Sequence, residues 1–281
     1  MSNGQILLMY RFCFFLICTL SLTACKKNKH QPNGTANTLP GTLSITGDPA
    51  SAQGAKWTYS ETGSINYQLE GVLYKPAGSG PFPAVLISHG TGGSALSYSS
   101  SIAKKIVTWG YVCIAVNYTH ASSSVPCGAP GSCIETDGEW GASSNNLLRA
   151  MKTREILISM AYVDSTRLAA TGHSRGAFVT TYIAGNYPNS FKAFAHTAGG
   201  VNTGAEPSAA TASRITRPYL IQHGDVDNVV PIERDYALRD LLNSRSVTNT
   251  MHVYTGYTHA QISNDSMMLV RMKQWFDQYA R

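Results

Sequence analysis

Residues 82–90 (FPAVLISHG) and 111–118 (YVCIAVNY) are apolar almost from end to end. Both are far too short to span a bilayer. Continuous apolar runs of this length, without polar alternation, are strands buried on both faces, and such strands occur where helices cover a parallel sheet. Residues 167–172 (RLAATG), 191–198 (FKAFAHTA), 219–224 (YLIQHG) and 250–256 (TMHVYTG) read as further strands, and 65–76 (INYQLEGVLYKP) as an extended segment. Helical spacing falls between them, over 97–109, 145–162, 232–243 and 263–279, and after Arg175. This alternation predicts one α/β domain, with a mostly parallel sheet of about eight strands and helices on both faces. Residues 119–144 form a polar loop rich in Ser, Gly and Pro, and no internal repeat or second domain is visible.

A chain of 281 residues, 43% apolar, can build the core such a domain needs. Its formal charge of +6 points toward an acidic partner only until it is located. Arg11, Lys26, Lys27 and Lys29 all precede the first acidic residue, Asp48, which leaves +2 on the remainder. No cluster of Lys and Arg with interleaved aromatics follows, so no nucleic-acid partner is expected.

The charge at the front belongs to an address. Residues 9–25 (MYRFCFFLICTLSLTAC) place a basic residue ahead of an apolar run, 12–22, and then small residues. That order predicts a secretory signal, and its ending, Leu22-Thr23-Ala24-Cys25, resembles the lipobox of bacterial lipoproteins. The resemblance implies lipidation of Cys25, export, and attachment to a membrane facing the periplasm or the cell surface. An ordinary cleaved signal with an incidental cysteine is the alternative. The chain then divides into a signal (1–24), a flexible tether rich in Asn, Thr, Gly, Pro and Ala (25–54), and a folded domain (55–281).

Cys13 and Cys18 leave with the signal, and Cys113, inside YVCIAV, reads as a small buried hydrophobe. Cys127 and Cys133 bracket a turn-forming GAPGS, and in an oxidising compartment a local disulfide is expected. No His, Cys or Asp cluster has metal-ligand spacing, so neither metal nor cofactor is expected.

Chemistry concentrates in LAATGHSRGAFVT, residues 168–180, where Ser174 lies between two glycines at the junction of a strand and a helix. A serine hydroxyl is a poor nucleophile near neutral pH unless a base takes its proton. Gly-x-Ser-x-Gly at such a junction folds into a sharp turn that exposes the oxygen above the sheet. The glycines are needed where strand and helix close together, and the helix opening at Arg175 directs amides at the site. The base and its orienting acid should follow in chain order. HGDVDNVVP supplies Asp225 and Asp227 at one strand end, and YTGYTH supplies His259 after the last strand. Parallel strands bring those ends to one rim, where open α/β sheets bind ligands.

Taken together these pieces resemble the α/β-hydrolases, in detail the dienelactone hydrolase-like esterases and related acyl-ester hydrolases. The likeness runs from Gly71 to Tyr279 through GVLYKP, FPAVLISHGTGG, GHSRG, HGDVDNVVP and YTGYTH. The resemblance implies a Ser174–His259–Asp227 triad, with Asp227 preferred over Asp225, which reads as a turn former. It also implies an oxyanion hole made by the backbone N–H groups of Arg175 and Thr91. The expected reaction is hydrolysis of a small or carbohydrate-linked acyl ester through an acyl-enzyme. A monomer is expected.

Other residues carry two readings. His173 is a candidate substrate contact or a local brace, and His89 beside the site reads as a brace. Trp140 could line the pocket or pack the loop between Cys127 and Cys133. The Arg175 side chain could attract a carboxylate on the substrate or pair with an acidic residue. His223 and His252 read as buried and satisfied, while His30, His120 and His196 have no motif support. A prolyl-oligopeptidase-type peptidase is a competing function, although roughly thirty residues between Cys25 and the first strands cannot hold a propeller of 4–8 blades. A non-catalytic binding lipoprotein is the other, and retention of serine, acid, histidine and both oxyanion loops argues against it.

Overall fold

The computed structural model describes residues 38–126, 128–131 and 140–281. Cys25, Cys127 and Cys133 lie outside the described residues, so the lipidation and disulfide expectations do too. Two buried strands set the frame: β4 (Phe82–Ser88) and β5 (Val112–Val116) pair in parallel at its centre. β6 (Val163–His173), β7 (Ala193–Thr197), β8 (Tyr219–Gly224) and β9 (Asn249–Tyr254) extend the parallel part to one side. On the other side β1 (Thr42–Thr46), β2 (Ala55–Glu61) and β3 (Tyr67–Tyr74) add antiparallel strands. The order is β1-β2-β3-β5-β4-β6-β7-β8-β9.

The sheet therefore has nine strands where about eight were expected. The strands left unread are β1 and β2. β1 falls within 25–54, so the tether reading does not hold for its C-terminal part; the strand is mostly exposed and leaves no apolar pattern to read. β2 does alternate, burying Ala55, Trp57 and Tyr59 and exposing Lys56, Thr58 and Ser60.

Side-chain alternation along the central strands feeds a core on each face. On one face Leu86, Ile114, Ala170 and Ile221 pack against α2 (Ser144–Ser159), α3 (Arg175–Asn186) and α5 (Glu233–Ser244), through Ile156, Leu157, Val179, Ile183, Leu238 and Leu242. On the other, Val85, Ile87, Cys113, Ala169 and Leu220 meet α1 (Ser100–Ile106) and α7 (Ser266–Tyr279), through Ile102, Ile106, Met268, Met272 and Phe276. Cys113 is a free, buried thiol in that second core, as its apolar neighbours suggested. Two single-turn helices, α4 (Ala209–Ala212) and α6 (His259–Ile262), follow β7 and β9. Because β4 to β9 run in parallel, the ends at Ser88, His173, Thr197, Gly224 and Tyr254 share one rim.

Candidate active site

Ser174 sits at that rim, between the last residue of β6 and the first of α3, with φ 57° and ψ −126°. A non-glycine residue in such a conformation is strained and persists only where its surroundings impose it. The constraint comes from the flanking glycines. A Cβ on Gly172 would lie 2.1 Å from the Gly176 carbonyl oxygen, and one on Gly176 would lie 2.2 Å from that of Ser88. The elbow is thus wedged against the end of β4, with Ser174 N–H bonded to the Thr197 carbonyl at 3.1 Å.

Across the elbow runs the loop after β4. A Cβ on Gly90 would meet the Ser174 Cβ at 3.0 Å and its Oγ at 3.6 Å, so a side chain here would crowd the serine. Histidines hold the loop. Tyr118 N–H donates to His89 Nε2 at 3.1 Å, which fixes the ring hydrogen on Nδ1, and Nδ1–H donates to the Gly90 carbonyl at 2.9 Å. Burial, and secondarily His120, push His89 down to about 3, so the ring stays neutral. His120 Nε2–H donates to the His89 carbonyl at 2.8 Å, and the His120 carbonyl accepts from Gly92 N–H at 3.1 Å. Thr91, between these braces, is exposed, and its N–H meets no protein acceptor among the described residues. Arg175 opens α3 immediately after the serine.

The carboxylate and imidazole expected to partner the serine arrive from the ends of β8 and β9. Asp227 Oδ1 accepts from Val229 N–H at 2.8 Å and Val230 N–H at 2.9 Å, a turn that seizes the carboxylate with its own following backbone. Its Oδ2 lies 2.7 Å from His259 Nδ1. The Asp227 side chain is fully buried and that of His259 is 15% exposed. Burial opposes the Asp227 charge, but hydrogen bonds from His223, His259 and the two amides outweigh it and hold the carboxyl far below the usual range. His259 opens α6, whose turn is fixed by Thr258: both its N–H and its hydroxyl donate to Gln261 Oε1. Asp225 instead accepts from Gly256 N–H at 2.6 Å, tying the β8 and β9 loops together as a turn former would.

The His259 ring leans on His173, with centroids 4.6 Å apart, and His173 is the residue before the serine. No hydrogen bond joins Ser174 Oγ to His259 among the described residues; such contacts often tighten only around bound substrate. His173 Nδ1 bonds Thr197 Oγ1 at 2.9 Å, and burial followed by the nearby His259 push it down to about 3. It is a neutral brace against the His259 ring. Trp140 packs edge-on against Phe178 of α3 at 5.8 Å and under the Arg234 guanidinium at 4.2 Å, in a cluster with Ala142 and Val230. It forms a wall joining the elbow helix to the acid loop.

Behind Asp227 lies a feature that the sequence reading left as satisfied core. His223 Nε2 stands 3.3 Å from Asp227 Oδ2, and its Nδ1 stands 2.6 Å from Asp235 Oδ2. His196 Nε2 meets the other oxygen of Asp235 at 2.7 Å. His223 lies inside the quoted HGDVDNVVP motif and could have been singled out there. Asp235, on α5, carries no local signal at all. Among the described residues no group of His, Cys, Asp and Glu could hold a metal ion.

The dienelactone hydrolase family model matches residues 69–279. Among solved structures, a candidate dienelactone hydrolase from Klebsiella pneumoniae is similar, at 19% identity and a TM-score of 0.61, over 85% of this chain and 99% of that one. An acetyl xylan esterase from Paenibacillus sp. R4 is similar at 14% identity and a TM-score of 0.62, over 86% of this chain and 89% of that one. A candidate dipeptidyl aminopeptidase IV from Bacteroides ovatus aligns at 17% identity and a TM-score of 0.63, over 85% of this chain but only 36% of that one. No curated protein matches by sequence. At these identities the solved structures establish the shared α/β-hydrolase fold.

Proposed function

Because the chain belongs to the dienelactone hydrolase family, we propose that it is a serine hydrolase acting on carboxylic esters. The observation that carries this reading is the Asp227–His259 pair, bonded at 2.7 Å, set beside a strained elbow that presents Ser174. Ser174 Oγ attacks the acyl carbon while its proton passes to His259 Nε2, and the alcohol departs with that proton. Water then attacks the acyl-enzyme by the same relay, returning the serine hydroxyl and releasing the acid. Asp227 keeps the His259 hydrogen on Nδ1, so that Nε2 is the basic face. The oxyanion is met by the backbone N–H groups of Thr91 and Arg175, and removing one such donor from a known site costs roughly 2.7–4 kcal/mol.

Turnover of p-nitrophenyl acetate and butyrate tests the reading, with aminoacyl p-nitroanilides as the peptidase comparison. The Ser174→Ala variant should lose at least about a thousand-fold in kcat, and phosphonate labelling with it. Unchanged turnover in that variant would end the proposal. Anilides cleaved faster than esters would instead favour the peptidase reading, which draws on the larger peptidase neighbour.

A further inference from the structure

Five titratable side chains form one buried row behind the site: Tyr219 and His223 from β8, His196 from β7, Asp235 from α5, and Asp227 from the β8 loop. The proposed reaction uses only the last. Hydrogen-bond polarity tells which members carry protons. The Val230 carbonyl can only accept, and it lies 3.0 Å from His223 Nε2, so Nε2 bears a hydrogen. Asp235 faces His223 Nδ1 at 2.6 Å and His196 Nε2 at 2.7 Å, and accepts from Gly199 N–H at 3.3 Å. A backbone N–H donor, with an imidazole nitrogen within 2.7 Å of each oxygen, favours the ionised carboxyl. The His223 ring then carries hydrogens on both nitrogens and is an imidazolium, with a carboxylate on each side.

We propose that His223 is a positioning residue: a buried imidazolium, anchored by Asp235, that fixes Asp227 and weakens its pull on the proton of His259. The inference rests on the serine-hydrolase reading. Asp227 Oδ2 faces two imidazoles, His223 at 3.3 Å and His259 at 2.7 Å. A carboxylate already neutralised from behind stabilises a charged His259 less, so the base stays free to accept a proton at lower pH. Its surroundings agree. Burial opposes the charge on His223, yet hydrogen bonds with Asp227 and Asp235 and the charge of Asp235 lift it to about 10. Asp235 is held below the usual carboxylate range despite its own burial, chiefly by the contact with His196 and then by His223. The other groups facing this array are His173, neutral under the base, and the Tyr219 hydroxyl, 2.9 Å from His196 Nδ1.

The test is the pH profile of kcat/KM on p-nitrophenyl acetate for wild type, Asp235→Asn and the double variant H223Q/D235N. An asparagine can accept from His196 and donate to His223 Nδ1, which leaves a neutral ring with its hydrogen on Nε2. The double variant keeps a neutral hydrogen-bonded pair in the same place. The acid limb should move up by about one pH unit in both, with the alkaline plateau kept within roughly ten-fold. A limb that stays put in either folded variant overturns the inference, since a merely structural role would lower the plateau and leave the limb alone. Nitrogen-15 NMR of histidine-labelled wild type decides the matter if the variants do not fold. Both His223 nitrogens should remain protonated from about pH 5 to about pH 9, and a neutral tautomer in that window overturns the inference. This spectrum needs no turnover, so an inert wild type would defeat the ester reading without touching the claim on His223.

Discussion

Asp225 and Asp227 stand two positions apart at the end of β8, and their surroundings give them different tasks. Asp227 is buried and holds His259, whereas Asp225 is exposed and holds Gly256. Asp227→Asn should therefore cost about ten-thousand-fold in kcat, because an amide stabilises the wrong imidazole tautomer. Asp225→Asn keeps an oxygen for the Gly256 amide and should stay within about three-fold. Steady-state ester hydrolysis by the two variants checks the assignment, and equal losses would contradict it. The placing of Ser174, Asp227 and His259 on one rim was legible in the sequence because each closes a short local pattern at a strand end. His196, His223 and Asp235 were not, since their meaning lies in which atom faces which across β7, β8 and α5. Asp235 in particular reads as any helix carboxylate until its complete burial is seen.

At the scale of elements, the β6–α3 elbow depends on space rather than on backbone freedom alone. Gly176→Ala would drive a Cβ to within 2.2 Å of the Ser88 carbonyl oxygen and 2.7 Å of that of His89, both backbone atoms at the end of a central strand. Neither can yield, so the loss should exceed about 2 kcal/mol. Gly92→Ala meets nothing within 4 Å but sits at φ +66°, and should cost about 1–2 kcal/mol. Denaturant midpoints of the two variants check the ranking, and a smaller loss at Gly176 would refute the wedge. The same contrast explains which elements could be read from sequence. β4 to β8 announce themselves by apolar runs because both faces are covered. β1 hides because its residues are mostly exposed. The final helix starts at Ser266, not 263, because His259–Ile262 takes a turn of its own that sets His259 against Asp227.

For the whole molecule, three buried histidines pull stability in opposite directions with pH. His89 and His173 are pushed down to about 3, so folding favours their neutral forms; that contribution is complete above about 6.5 and drains as pH falls toward 3. His223 is lifted to about 10, so its contribution is complete below about 6.5 and is lost as pH rises through 10. Asp227 and Asp235, held low, add a loss that begins only in the ordinary carboxylate range and below. The thermal midpoint should thus peak near neutrality and decline on both sides. A flat midpoint from about pH 7 to about pH 10 would remove the charge from His223. The sheet order also has a mechanical side. β1 is the outermost strand, five largely exposed residues bound through β2, with four strands standing between it and β6. Tension reaching the chain ahead of Thr42 would be taken first by the β1–β2 ladder, which can peel away and shed the force. Ser174, Asp227 and His259, on the far strands, would keep their spacing while that fuse gives.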